Sequence, residues 1–262
     1  MPDVLTKTLW DARRGLAGFA VGTALVGMLY ASFYPQVDGG AMGDAVEGMS
    51  PGLRDALNLD DLGSAAGYLG SSVFGIIVPL IAVIYGVATG ARAVAGDEES
   101  GGLDLLLAHP VSRTKLVWSR LGALAIGAGL LAGLVLVAML AVRSSASLDS
   151  VSVGQFAAQC VALALLSTAL GAFALALGAV TGSRGTTLGG TAAVAVLAYA
   201  AHSFAGQIGV GPARYLSPFH YYIGHEPLRN GFQWGDLGVL AAAVLVLGGV
   251  ASVVFNRRDL RS

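Results

Sequence analysis

Apolar residues in this chain form long unbroken runs, and the polar residues collect between them. Six stretches of 19 residues or more lack Asp, Glu, Lys and Arg altogether: Leu16 to Tyr34, Tyr68 to Ala91, Leu121 to Val142, Gly154 to Val180, Gly185 to Gly206 and Leu237 to Phe255. At a rise of about 1.5 Å per residue, each is long enough as a helix to cross a hydrocarbon layer of about 30 Å. Strands would be shorter, and a membrane barrel would alternate apolar and polar residues over segments of about ten. The pattern predicts an all-α, polytopic membrane protein with six transmembrane helices. The first run follows Lys7, Arg13 and Arg14, as a secretory signal would, but it is longer than a signal's apolar core and shows no small-residue cleavage site, so it is read as retained.

Composition agrees with that reading. Of 262 residues, 55% are hydrophobic and only 12% charged, and the mean hydropathy is +0.71, values foreign to a soluble domain. A net charge of -1 provides no global field to attract nucleic acid. The single cysteine, Cys160, excludes an internal disulfide and any multi-cysteine metal site. No 20-to-50-residue repeat and no linker divides the chain, so one domain over residues 1–262 is expected.

Six spans put both termini on one side, and the basic residues decide which side. Lys7, Arg13, Arg14, Arg92, Arg113, Lys115, Arg120, Arg184, Arg257, Arg258 and Arg261 fall on the face with the termini, while Arg54, Arg143, Arg214 and Arg229 fall opposite. Eleven against four places both termini in the cytoplasm of a cell by the positive-inside rule. The pairs Gly18/Gly22, Gly86/Gly90 and Gly129/Gly133 each leave a flat patch where a second helix can approach, which favours a tightly packed bundle.

The segment between the second and third runs, GDEESGGLDLLLAHPVSRTKLVWSRL from Gly96 to Leu121, is the most informative. Ser100 is suited to cap a short helix, Leu103, Leu106 and Leu107 share one face of it, and Pro110 ends it. A second helix starts at Ser112, and Trp118 marks re-entry at the interface. A short helix with acids at its start and one apolar edge suits a groove on a partner protein; the alternative is a solvated loop whose leucines rest on the membrane surface.

At these residues the chain resembles the ATP-binding cassette (ABC) type 2 exporter permeases, whose second loop holds a coupling helix with paired acids, Gly, a leucine run and then Pro-Val-Ser-Arg with a basic residue. The matching positions are Glu98, Glu99, Gly101, Leu103, Leu106, Leu107, Pro110, Val111, Ser112, Arg113 and Lys115. Residues 2 to 14 are similar to the family's interfacial helix before span one. Leu216, Ser217, Pro218 and Phe219 resemble its partly re-entrant external segment before the last span, and the ending from Asn256 to Leu260 its cytoplasmic tail. The external segment 35–67, with a helix expected to open at Ser50 and Pro51, departs from the pattern.

The resemblance implies a permease subunit, itself not an enzyme, that works with a second copy of itself or a homologous permease in the bilayer. It also implies a separate ATP-binding subunit that carries ATP and Mg. The sequence fits such a division, since a phosphate loop needs Gly-x-x-x-x-Gly-Lys-Ser/Thr and the only lysines, Lys7 and Lys115, do not follow glycine. His-Glu-x-x-His does not occur, which counts against an intramembrane metalloprotease.

Two other classes compete: a secondary transporter, and a membrane anchor or mechanical transmitter on the same scaffold. Proton-coupled carriers place ionisable groups within the membrane, whereas His202 is the only strongly ionisable side chain inside a run here, and it is read as packed and hydrogen-bonded. His220, His225 and Glu226 form an external cluster, but a spacing of five residues does not put the two histidines on one helix face, and no metal is expected there. Tyr215, Phe219, Tyr221, Tyr222, Phe232 and Trp234 read as an aromatic belt or external gate. Spans poor in polar groups favour an amphipathic or lipophilic cargo, with Phe33, Phe74 and Phe204 the expected path-lining residues.

Overall fold

The computed structural model describes residues 4–37, 49–50, 52–53, 64–96, 99, 112–204 and 211–257. Among these, 88% are helical and none lies in a strand. Six helical stretches are long and apolar enough to cross a membrane: Leu5–Val37, Ala65–Gly96, Arg113–Val142, Val153–Thr181, Arg184–Phe204 and Trp234–Arg257, the first to sixth spans. Their outer faces carry large apolar side chains such as Leu25, Leu80, Leu130, Val137, Leu197 and Val246, as a lipid-facing surface requires.

Several helices run beyond the uncharged runs that announce them. The third has 30 residues, about 45 Å of helix, and carries Arg113, Lys115 and Arg120 in its first turns. Charge marks where the hydrocarbon ends, but backbone hydrogen bonding continues into the headgroup layer. The first helix is likewise continuous from Val4 to Ala31, so the residues expected as a separate interfacial helix are its own opening turns. The helix expected at Ser50 and Pro51 lies mostly outside the described residues; among those described there, the Leu53 amide donates to Ser50 O at 3.0 Å.

The fourth span is the axis of the bundle. It touches the second, third, fifth and sixth spans, and 72% of its apolar window is buried, against 17% for the fifth. Its closest neighbour is the second span, where a Cβ on Gly86 would run into Ser167 and its carbonyl, and one on Gly90 into the Gly171 carbonyl. A Cβ on Gly171 would stand 2.7 Å from Gly86 O, so the crowding is mutual. The Ser167 hydroxyl uses the proximity to donate to Ala82 O at 2.5 Å. Among the described residues, a Cβ on Gly18, Gly22, Gly129 or Gly133 would meet nothing within 4 Å, so only one of the three expected glycine pairs packs helices within this chain.

The fourth span opens with a capping box, in which Ser152 Oγ accepts from the Gln155 amide at 3.3 Å and Gln155 Oε1 from the Ser152 amide at 2.7 Å. It closes at Gly182, whose φ of 65° few other residues adopt easily.

The second span is π-helical from Leu69 to Ile77 before it becomes α-helical at Val78. Proline explains the change: in an α-helix the Pro79 ring would clash with the carbonyl of residue 75, and a wider turn relieves it. The Val78 N–H consequently reaches back five residues to Val73 O. The next carbonyl in that register, Phe74 O, faces Pro79, which has no N–H to give. Tyr222 supplies the missing donor, its buried hydroxyl reaching Phe74 O at 2.9 Å.

Tyr222 belongs to the segment before the sixth span, built from a 3-10 turn at Gly211–Leu216 and short helices at Pro218–Ile223 and Pro227–Asn230. The segment folds onto the bundle: Ser217 Oγ donates to Ala198 O at 2.7 Å and Gln155 Nε2 to Arg229 O at 2.6 Å. Phe219 and Tyr222 are therefore core residues, while Tyr215 and Trp234 are exposed, and the six aromatics divide between packing and surface instead of forming one belt.

Replacing Tyr222 with Phe leaves a buried carbonyl without a donor, a loss of about 1–3 kcal/mol. Pro79→Ala restores an N–H on the same carbonyl's side. The double variant Pro79→Ala, Tyr222→Phe is therefore expected to recover part of the stability that Tyr222→Phe alone loses, measured as thermal unfolding in lipid nanodiscs; strictly additive losses would refute the shared carbonyl.

Candidate functional site

The end of the bundle that holds both termini is built from the bases of the polar loops. Ser112 caps the third span, its Oγ accepting from the Lys115 amide at 3.2 Å, as the sequence indicated. Arg113, the next residue, turns inward. Its Nη1 donates to Phe255 O at 3.0 Å and its guanidinium lies 5.5 Å from the centre of the Phe255 ring. A cation on the last carbonyls of a helix is favoured by the backbone dipole. Asn256 Nδ2 donates to Thr114 Oγ1 at 2.8 Å beside it, so the start of the third span and the end of the sixth are tied together.

On the other side of this end, the Arg184 amide donates to Glu99 Oε1 at 2.8 Å. Arg184 is the first residue of the fifth span, and its backbone N–H is one of the donors that a helix start leaves free. The structure thus places three of the expected coupling residues, Glu99, Ser112 and Arg113, where the loop meets the helices. Glu98, Gly101, Leu103, Leu106, Leu107, Pro110 and Val111, and the short helix expected from them, lie outside the described residues.

Residues 4–260 match the family described as ABC-2 family transporter protein. The chain belongs to that family. It is a membrane permease subunit of an ABC transporter, consistent with six spans and the resemblance of the second loop. No curated protein matches the sequence significantly.

The three aromatic residues expected along the permease's path are not brought together. Phe74 is fully buried in the chain's own core, beneath Tyr222, and has no surface to offer a cargo. Phe33 and Phe204 are both exposed, at the end of the bundle away from the termini.

That distal end holds an arrangement that sequence spacing did not reveal. His220 lies buried with the rings of Tyr215, Tyr221, His225 and His202 around it, at centroid distances of 4.9, 5.2, 5.2 and 6.1 Å. The helix ends at Ile223 and the turn after it brings His225 back beside His220, which a count of residues along one helix could not foresee. His225 Nδ1 meets Asp236 Oδ2 at 2.6 Å, while Glu226 pairs with Arg229 at 3.6 Å, so the glutamate is not part of the cluster. His202 is packed as expected, but its Nδ1 has no hydrogen-bond partner among the described residues. Among those residues, no three His, Cys, Asp or Glu side chains are placed to hold a metal ion.

Burial holds the His220 imidazole below the ordinary histidine value, and the neighbouring His225 and Arg214 add to the effect while Asp236 opposes it. The docked segment therefore binds fewer protons at His220 than the undocked one, and docking weakens as pH falls below about 6.5. One proton changes the docked-to-undocked ratio by up to about tenfold per pH unit. Protection of the amides over residues 219–223, taken relative to the intrinsic exchange rate at each pH, is expected to fall between pH 7 and 5.5, with a shallower fall in His220→Asn. An unchanged slope in that variant would show that other groups control the docking.

Proposed function

We propose that this permease is the membrane half of an exporter, driven by Mg-ATP hydrolysis on a separate ATP-binding subunit, and that it moves an amphipathic or lipophilic molecule across the cell membrane. The observation that carries the reading is the ABC-2 family match across residues 4–260 in a sequence without a phosphate loop. The whole chain then acts as one permease domain, paired with a second copy or a homologue. Both termini lie in the cytoplasm, as the distribution of basic residues favours. The segment docked by Tyr222 corresponds to the partly re-entrant external element of the family.

In this reading the 96–121 loop is the contact to the ATPase. Its leucines 103, 106 and 107 enter a groove on that subunit, with Glu98 and Glu99 beside them, and closure of the two ATPases displaces the loop. The bundles then alternate between inward and outward access. Phe33 and Phe204, exposed on weakly buried spans, are the aromatic groups available to a hydrophobic cargo.

Burying one leucine contributes about 1.5–3 kcal/mol, so removing two weakens the contact by on the order of a hundredfold or more. A Leu106→Ala, Leu107→Ala variant is expected to insert and fold, yet to lose copurification with a coexpressed ATP-binding subunit. Retention of that subunit at wild-type yield would remove the loop from the coupling role.

Orientation has its own test. With Cys160 replaced by alanine, single cysteines at Ser50 and Ser100 are expected to label oppositely in intact cells with an impermeant thiol reagent, position 50 reacting and position 100 not. The reverse pattern would turn the protein over.

A further inference from the structure

The Glu99 contact joins two parts of the chain that sequence does not relate, the loop leaving the second span and the start of the fifth. It is supported on both sides. The Arg184 Cδ lies 3.7 Å from the position a Cβ would take on Gly96, and Ala95 Cβ and Thr187 Oγ1 lie 3.4 and 3.5 Å from the corresponding position on Gly178. The turn beneath is braced, with Thr181 Oγ1 and Thr187 Oγ1 hydrogen-bonded at 3.0 Å and Thr187 Oγ1 donating to Ser183 O at 2.7 Å. The loop base therefore rests on the four-five turn and grips the first amide of the fifth helix.

The other end of the same helix is attached to the distal segment. Ser217 Oγ donates to Ala198 O at 2.7 Å, the Tyr199 and Phe219 rings meet edge to face at 5.3 Å, and His202 and His220 are 6.1 Å apart. Between the two attachments the fifth span is the least enclosed of the six, with 17% of its apolar window buried. The helix from Arg184 to Ala198 covers about 21 Å and meets the bundle along one narrow face, Thr187, Thr191 and Ala195, where side chains and not backbones make the contact, as with Leu177 beside Gly190. An α-helix held at both ends and loosely in the middle transmits displacement along its axis.

We propose that Glu99 is a positioning residue that clips the second loop to the fifth span, and that this span carries movement of the loop to the distal segment without passing through the core. The inference rests on the reading of that loop as the coupling segment for its role in transport, but the mechanical link belongs to this chain alone. Its test therefore needs neither ATPase nor cargo.

The permease in lipid nanodiscs is compared by hydrogen exchange as wild type, Glu99→Ala, Glu99→Gln and Ser217→Ala. Glu99→Ala is expected to raise exchange at residues 185–188 and also at 219–223, by about fivefold or more. Glu99→Gln keeps an oxygen that accepts the Arg184 amide and is expected to restore most of the distal protection. Because coupling is reciprocal, Ser217→Ala is expected to raise exchange at 185–188 in return. A change confined to 185–188 in Glu99→Ala, or no return effect from Ser217→Ala, makes Glu99 a local helix cap and overturns the proposal. Failure of the leucine variant to release the ATP-binding subunit would overturn the coupling reading while leaving these exchange results to stand or fall separately.

Discussion

Where Gly86 and Gly90 face Ser167 and Gly171, the second and fourth helices approach until backbone meets backbone, and no side chain fits between. In a bilayer, water does not drive helices together, so close van der Waals contact and interhelical hydrogen bonds must hold them, and small residues allow both. The Ser167 hydroxyl on Ala82 O adds the polar part of that contact. The remaining helices are placed around this pair: the third and sixth against the fourth, and the first against the third. A methyl group at Gly90 would force the pair apart and displace every span that packs on it.

The two ends of the bundle are fastened differently from its middle. At the terminal end, charged or amide side chains secure helix ends, as with Arg113 on Phe255 O and Glu99 on the Arg184 amide. At the distal end, hydroxyl and amide groups tie an irregular segment to carbonyls, as with Tyr222, Ser217 and Gln155. Most of these bonds sit where the chain leaves regular helix and its backbone groups lack internal partners, the places where an apolar surrounding makes a missing partner most costly; the Ser217 bond instead reaches a carbonyl within the fifth helix. The fifth span is joined to both ends and little enclosed between them, which sets it apart from the fourth.

Much of the architecture was legible in the sequence because it depends on long-run composition. Six uncharged stretches gave six spans, and Ser112 announced a helix start because a cap is a local event. Contacts across space were less legible. Gly86/Gly90 and Gly129/Gly133 look alike on paper, yet only the first pair faces another helix within the chain, since a glycine pattern does not say which side of a helix is covered. Arg113 matched a family pattern for partner coupling, and the sequence did not show that its guanidinium also donates to the end of the sixth helix. Phe74 read as a large aromatic available to a cargo, but its face of the helix is the one that the chain's own core covers. The histidine cluster was hidden because a turn, not a helical period, brings His225 to His220.

The bond between Tyr222 and Phe74 also bears on how the protein is made. Its partners are 148 residues apart, so the ribosome releases the carbonyl long before it synthesises the hydroxyl that satisfies it. Three more spans emerge in between, and throughout that interval the second helix must wait in the membrane with an open acceptor near Pro79. A nascent chain with such a defect is a natural client for the insertion machinery, which can shelter a polar group from lipid. Assembly of the bundle is then completed from its distal side and late in synthesis, when the segment before the sixth span arrives to close the gap left by a proline in the second.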